Sequence, residues 1–577
     1  MHPVSRQTTT LPATPTQGRA EADPDQTFAL SPSGPYRAVK QLGLVVLCAI
    51  WAVLGTFGHD PWKTEDATAF GVAYEMMQSG DVLVPRVAGE ALVDRPPLVY
   101  AAAAASATAL SPLLPMPDAA RFAAAVVLAL TMLLVGAAAT ELYGRDFRWM
   151  AVLLFIGSVG LWDRAHQLSP EQGLMLGVAA ALYGFALGLR RPVVGGAILG
   201  AGVAVSFLSR GLLGPLWIGI TALALPAAFE DWRTRGYALT VALALAVAIP
   251  LSLAWPLALA YRAPAHLKAW WAMQSVGDYF SPLSASGPGD PTYILKNLPW
   301  FAWPALPLVF WTLAIRARGF NGGLAPASVK LPGTLALVIG ISMLVKSDPR
   351  AIELMPMLAP LALLGALEVD TLKRGYSGAL DWFGILTFGL LSALVWWLWF
   401  DAYAHGMSPA VAKLVRDTEP GYRPALSWVA LAVSALLTVL WLLLVRPARR
   451  SNRRAVLNWA AGTTLLWALL TTIWLPYIDS RRSYRDVAES LRAALPREGC
   501  VASRNLGDAQ RALFYYFANL ATVREEKNPV NRCQALLVQY GRHDANSGPP
   551  AGWQAVWDGH RRGDDTERYV LYLRKPS

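Results

Sequence analysis

The stretch LGLVVLCAIWAVLGTFGHDPWKTEDATAF (Leu42–Phe70) contains, in order, the two features that decide how this chain is read. Its first half, Leu42–Phe57, carries no charged residue and is roughly long enough to enter a hydrocarbon core as a helix. Its second half turns polar and sets two acids side by side, Glu65 and Asp66. Carboxylates beside a bilayer are costly unless they face water, a partner or a substrate. A pair placed where a helix leaves the membrane therefore reads as chemistry at the interface. MMQSGDVLVPR (Met76–Arg86) and VDRPPLVY (Val93–Tyr100) follow it.

The rest of the chain repeats the first half. Of 577 residues, 54% are hydrophobic and 15% charged, more apolar material than one globular core buries, which excludes a soluble enzyme. Apolar runs recur from Leu42 to Pro476, near 42–58, 120–142, 149–165, 172–189, 192–209, 212–228, 238–260, 297–315, 331–346, 351–369, 382–401, 425–445 and 456–475. The fold class expected is an all-α polytopic membrane protein of about thirteen transmembrane helices. Residues 1–40, rich in Pro, Thr and Ser, predict a disordered cytoplasmic tail. No cleavable signal peptide opens the chain, so the first helix is expected to be a retained signal anchor.

The net charge of +11 sits largely in short loops between apolar runs, where Lys and Arg set orientation; no nucleic-acid partner is expected. RPARRSNRR (Arg446–Arg454) is the strongest cytoplasmic marker, and Arg190–Arg191, Glu230–Arg235, Ala314–Phe320, Leu372–Gly375 and Tyr143–Arg148 behave alike. The N-terminus is then inside and the C-terminus outside. Pro97–Leu114 is long enough to cross, but counting it would invert every later loop, so it reads as an interfacial or re-entrant helix on the outer face. The domain at 41–478 thus has a periplasmic first loop, 59–118, and a long loop, 261–296. Glu65, Asp66, Arg95, Glu171, Arg210 and Arg350 all fall on the outer side.

After the last helix the composition turns polar. Residues 479–577 read as a small periplasmic α/β domain, with helical spacing in SYRDVAESLRAAL (Ser483–Leu495) and strands at ALLVQY (Ala535–Tyr540) and RYVLYLRK (Arg568–Lys575). Cys500 and Cys533 lie in it, and an oxidising periplasm would favour a disulfide; two unpaired thiols are the alternative.

An ordered set of motifs runs through the chain: the acid pair, SGDVLVPR (Ser79–Arg86), RPPL (Arg95–Leu98), YGRD (Tyr143–Asp146), HQLSPEQGLMLG (His166–Gly177), FLSRGLLGPL (Phe207–Leu216), LPWFAWPALPL (Leu298–Leu308) and KSDPRAIELMPMLAPLALLGA (Lys346–Ala366). In this order it resembles bacterial polyprenyl-phosphate-dependent glycosyltransferases of the GT-C class, similar to the 4-amino-4-deoxy-L-arabinose lipid A transferases and the protein O-mannosyltransferases. The resemblance implies a polyprenyl-phosphate-sugar donor, undecaprenyl phosphate being its lipid, and a lipid or glycan acceptor such as lipid A. It also implies inverting transfer on the periplasmic face of the inner membrane. Glu65 aligns with the family's first-loop aspartate and Asp66 with the glutamate after it, so either is a candidate for the acid that takes the acceptor proton. The second family carboxylate falls on Glu171, which as an acid at a helix start also reads as a simple cap. Two family lysines are arginines here, in Arg95-Pro96-Pro97 and Arg210-Gly211. With Arg350 they make a candidate clamp for the donor phosphate, because guanidinium groups grip phosphate through paired N–H donors and stabilise the charge that develops on it. Snorkelling for Arg95 and a helix start for Arg350 are the plainer alternatives. His59 and His166 are isolated, so no metal is assigned and the cofactor is left unknown. A glycosyltransferase of secreted proteins and a lipid or solute transporter are the alternative functions.

Overall fold

The structure, a computed structural model, describes residues 35–274, 292–346, 349–409, 423–446, 451–497, 499–529, 533–541 and most of 550–575. Most of the tail expected at 1–40, part of the loop 261–296 and the middle of Arg446–Arg454 lie outside the described residues.

Every apolar run predicted to cross is helical in whole or part. In chain order the first helices are α1 (Pro35–Val53), α2 (Glu65–Ser79), α3 (Leu98–Leu110), α4 (Met116–Tyr143), α5 (Arg148–Ile156), α6 (Pro170–Gly188), α7 (Pro192–Arg210), α8 (Leu213–Ala228), α9 (Arg235–Arg262) and α10 (Pro264–Met273). Helices at Tyr293–Phe301, Ala305–Ala317, Ala327–Val345, Leu358–Leu367, Arg374–His405, Trp428–Leu444 and Asn452–Leu470 follow. Among the described residues five helices are individually long and apolar enough to cross a membrane, and two bent pairs, each counted as one span, bring the number to seven. The other predicted crossings fall on α6 and on shorter or broken apolar helices. The chain is a multi-pass membrane protein.

Several predicted continuous spans are broken; that at 297–315 bends by 95° between Phe301 and Ala305. The run 149–165 is helical only to Ile156, after which the backbone bonds are diverted: Gly157 O accepts from Trp459 Nε1 at 2.9 Å and Val159 N donates to Trp303 O at 3.1 Å. A β-carbon on Gly160 would stand 2.4 Å from the Phe301 ring, so the chain passes here only because the residue is glycine. The run 351–369 opens as a 3₁₀ turn (Ala351–Met357) and becomes α-helical at Leu358, with Pro356 at the change. Segment α3 has 13 residues, about 20 Å, less than a hydrocarbon core, and packs on α2 and α4.

The pairing of α6 with α7 positions the site. The two run antiparallel with glycines facing each other: a β-carbon on Gly177 would meet Gly202 O at 2.6 Å, and one on Gly195 would meet Gly188 N at 2.4 Å. Missing side chains let the backbones touch, and van der Waals packing then holds the helices in lipid as in water. That register sets Glu171, in the first turn of α6, opposite Arg210, in the last turn of α7.

The basic loops gather at the far end of the bundle. Arg453 reaches Asp370 and Asp146 O, Asn452 reaches Asp370 O and Leu372 O, Arg190 pairs with Glu141, and Lys330 with Asp231. Helix α4 spans the distance, with Asp118 and Arg121 at one end and Tyr143 at the other, about 40 Å apart.

The C-terminal part is an α/β unit. Five strands, β3 (Val501–Arg504), β4 (Thr522–Arg524), β5 (Ala535–Gly541), β6 (Trp553–Gly559) and β7 (Glu567–Arg574), lie in the order β4-β3-β5-β7-β6, parallel around β3 and antiparallel from β5 onward. The helices Arg485–Ala494 and Asp508–Ala518 cover one face through Leu491, Leu513 and Phe514 against Leu537, Tyr569 and Leu571. Cys500 and Cys533 form a disulfide beside β3 and β5. A two-stranded hairpin, β1 (Arg86–Val87) with β2 (Glu90–Ala91), belongs to the first loop.

Candidate active site

The first loop is held between the bundle and the sheet unit. Asp60 accepts from Ser483 Oγ at 2.6 Å and pairs with Arg485, while Asp479 accepts from Asp60 N and from Trp62 Nε1. Lys63 pairs with Glu567, which also accepts from the hydroxyls of Tyr484 and Tyr569 at 2.6 and 2.7 Å. Burial pushes the Glu567 carboxyl up, but Lys63 and the two tyrosines outweigh it and hold the pKa below the usual range. Glu90, on the hairpin, meets Arg511 at 2.9 Å and Arg524 at 3.2 Å. Helix α2 lies against Asp508–Ala518 with Gly71 on Ala512, and Gly80 in the left-handed region (φ 69°) ends it.

Glu65 and Asp66 begin α2 and point to different places. Asp66 is fully buried and paired with Arg121 of α4, Nη2 to Oδ2 at 3.0 Å; it also accepts from Leu168 N at 2.9 Å and Trp62 N at 3.1 Å. Burial raises its pKa, but Arg121 overrides this and holds it below the ordinary carboxylate value. The structure thus places Asp66 on Arg121, apart from the partners of Glu65. It is consumed by Arg121 and two backbone amides, and it ties the loop to α4 and to the approach to α6. His59, stacked on Trp62, bonds backbone carbonyls and is driven down to about 4 by burial, then by Arg121. His166 bonds Trp51 O and Trp162 O. Among the described residues no cluster of three or more His, Cys, Asp or Glu could hold a metal ion.

Glu65 turns the other way and joins every remaining candidate. Arg95, just before Pro96-Pro97, places Nη1 2.8 Å from Glu65 Oε2 and 3.7 Å from Glu171 Oε1. Arg210 places Nε 3.0 Å from Glu171 Oε1 and Nη2 2.8 Å from Glu353 Oε1. Lys346 donates to both oxygens of Glu353, and Arg350 Nη1 lies 3.4 Å from Glu65 Oε1. The result is an alternating string: Arg350, Glu65, Arg95, Glu171, Arg210, Glu353, Lys346. The Glu171 and Glu353 side chains are 1% exposed, that of Glu65 18% and that of Arg350 53%, so the string runs from the interior to the surface. Glu171 Oε2 is buried and has no hydrogen-bond partner among the described residues. Gln274 closes one side, accepting from Leu212 N and donating to Asp94 O.

Sequence reasoning overlooked Glu353, Lys346 and Arg121. A lone glutamate three residues after Arg350 in an otherwise apolar run was the available signal for the first; Arg350 N donates to Glu353 Oε2 at 3.1 Å. Trp270, in the long loop, is buried against Phe207 and Trp255, whereas Trp271 is exposed; Tyr279 lies outside the described residues. Trp303, Pro304 and Pro307 of the aromatic stretch line an apolar groove of about 700 Å³ with Tyr376 and Phe383.

No family profile and no curated protein matches the sequence. Among solved structures, ArnT from Cupriavidus metallidurans bound to undecaprenyl phosphate superimposes with a TM-score of 0.65 at 16% identity, over 93% of this chain and 98% of that one. The apo state of the same protein gives 0.66 at the same identity and coverage. Archaeal oligosaccharyltransferase AglB from Archaeoglobus fulgidus gives 0.47 at 12% identity, over 88% of this chain and 70% of that one. At such identity a likeness establishes the fold: the chain has the ArnT fold, as the resemblance to the GT-C class implies.

Proposed function

We propose that the chain is an integral membrane glycosyltransferase of the bacterial inner membrane. It moves a sugar from a polyprenyl-phosphate donor to a lipid or glycan acceptor, lipid A or another envelope glycan, on the periplasmic face and with inversion. The string of guanidinium, ammonium and carboxylate groups, set in an ArnT fold, carries this reading. Bond breaking leaves a phosphate whose charge must be met where water is scarce; Arg95, Arg210 and Arg350 supply N–H donors for it, and Lys346 adds a point charge. Glu65, the more exposed of the two adjacent acids, takes the acceptor proton; Glu171 orients Arg95 and Arg210 and offers Oε2 to a sugar hydroxyl. Inversion needs no covalent intermediate, only attack from the face opposite the phosphate.

The gathering of basic loops at the far end of α4 supports a cytoplasmic assignment for that end and a periplasmic one for the string and the sheet unit. Mass spectrometry of lipid A, surface polysaccharide and periplasmic proteins, from cells with and without the gene, tests the proposal. Loss of a sugar from a lipid or glycan is the expected result; loss from proteins alone would move the acceptor to secreted proteins, and no change in any fraction would overturn the reading.

A further inference from the structure

We infer that Glu65 occupies the seat of the donor phosphate and exchanges with it, which makes the catalytic carboxylate available only after the donor has bound. The inference rests on the transferase reading above and adds an order of events to it. The two oxygens of Glu65 are divided between two guanidinium groups, Oε2 on Arg95 and Oε1 on Arg350. Two arginines converging on the two oxygens of one anion is also how a phosphate is held, so the carboxylate and a phosphate compete for the same N–H donors.

Charge bookkeeping points the same way. Among the described residues the string holds four cations, Arg95, Arg210, Lys346 and Arg350, against Glu65, Glu171, Glu353 and the rim acid Asp94, which lies 3.4 Å from Arg95. A phosphodiester added to this balanced set would be an uncompensated, partly buried anion, which is strongly unfavourable. One acid has to yield. Glu171 and Glu353 are buried, and Glu353 is held by Arg210, Lys346 and the Arg350 amide. Asp94 is 43% exposed and already screened by water, so its departure would change little. Glu65 is the acid that both sits on the phosphate donors and borders solvent.

The exchange also balances the transfer step. The acceptor oxygen bonds to the anomeric carbon, the carbon–oxygen bond to phosphate breaks with its electron pair passing to the phosphate, and the acceptor proton passes to Glu65. The phosphate gains one negative charge as Glu65 loses one. When Glu65 then gives its proton to water it competes again for Arg95 and Arg350, and the lipid phosphate leaves.

Equilibrium binding of undecaprenyl phosphate to the purified full chain in detergent tests this. Glu65→Gln is expected to bind about tenfold tighter than the unaltered protein while losing transfer. Glu353→Gln removes the same charge from the same string without vacating the seat, and is expected to bind no tighter. Glu65→Ala supplies a second vacated seat should the amide variant fail to fold. Unchanged or weaker binding in folded Glu65 variants overturns the exchange, as does equal tightening in Glu353→Gln. Absence of binding in the unaltered protein, unaffected by Arg95→Ala, overturns the transferase reading itself and the exchange with it.

Discussion

Adjacent residues of like charge can have unrelated roles, and the acid pair separates them by one turn of direction. Asp66 faces inward to Arg121; Asp66→Ala would leave that guanidinium buried without its carboxylate and is expected to cost about 3–5 kcal/mol, read as a lowered melting temperature of the purified protein. Glu65→Ala, at a half-open position, is expected to melt near the unaltered protein and to lose sugar transfer. The Asp66 pair also sets a pH dependence. Its carboxyl titrates lower folded than unfolded, so its stabilisation is complete above the unfolded value of about 3.9 and is lost as pH falls through the lower folded one. Melting curves between pH 7 and pH 3 should fall more steeply for the unaltered protein than for Asp66→Asn. The sequence marked both acids because both follow the first long apolar run. It could not separate them, since the residue that decides, Arg121, lies 55 positions away on α4.

Among the elements, the facing glycines of α6 and α7 are what carry Glu171 to Arg210. Gly177→Leu would push the two backbones apart at Gly202 and is expected to destabilise by about 1–3 kcal/mol. Transfer should fall further than that loss explains, because the register at the far end of the pair moves with it; activity at a temperature where the variant is fully folded checks this. Helix positions were legible because apolar length is written locally in the chain. The break after Ile156 was not, because it is made by Trp459, Trp303 and Phe301, which reach it from distant segments. Arg95, Glu171 and Arg210 could be picked out as charges at the ends of apolar runs or before a Pro-Pro pair. Glu353 lies inside such a run, where an acid reads as an interruption until its partners are known.

At the scale of the molecule, the disulfide closes a 33-residue separation in the sheet unit. Its loss in Cys500→Ser is expected to cost about 3–4 kcal/mol by loop closure, detectable as a melting step that reductant shifts in the unaltered protein but not in the variant. The clasp of the first loop by the sheet unit is testable as a coupling. Lys63→Ala and Glu567→Gln together should lower stability by less than the sum of the two singly, since both remove one contact.

That clasp joins segments some four to five hundred positions apart, Asp60 to Arg485, Lys63 to Glu567 and Glu90 to Arg511. Chimaeras that graft a foreign tail domain after the final helix would bring mismatched partners to each junction. Inheritance of the two pieces must therefore be joint, and a substitution on one bank of the junction invites a compensating substitution on the other.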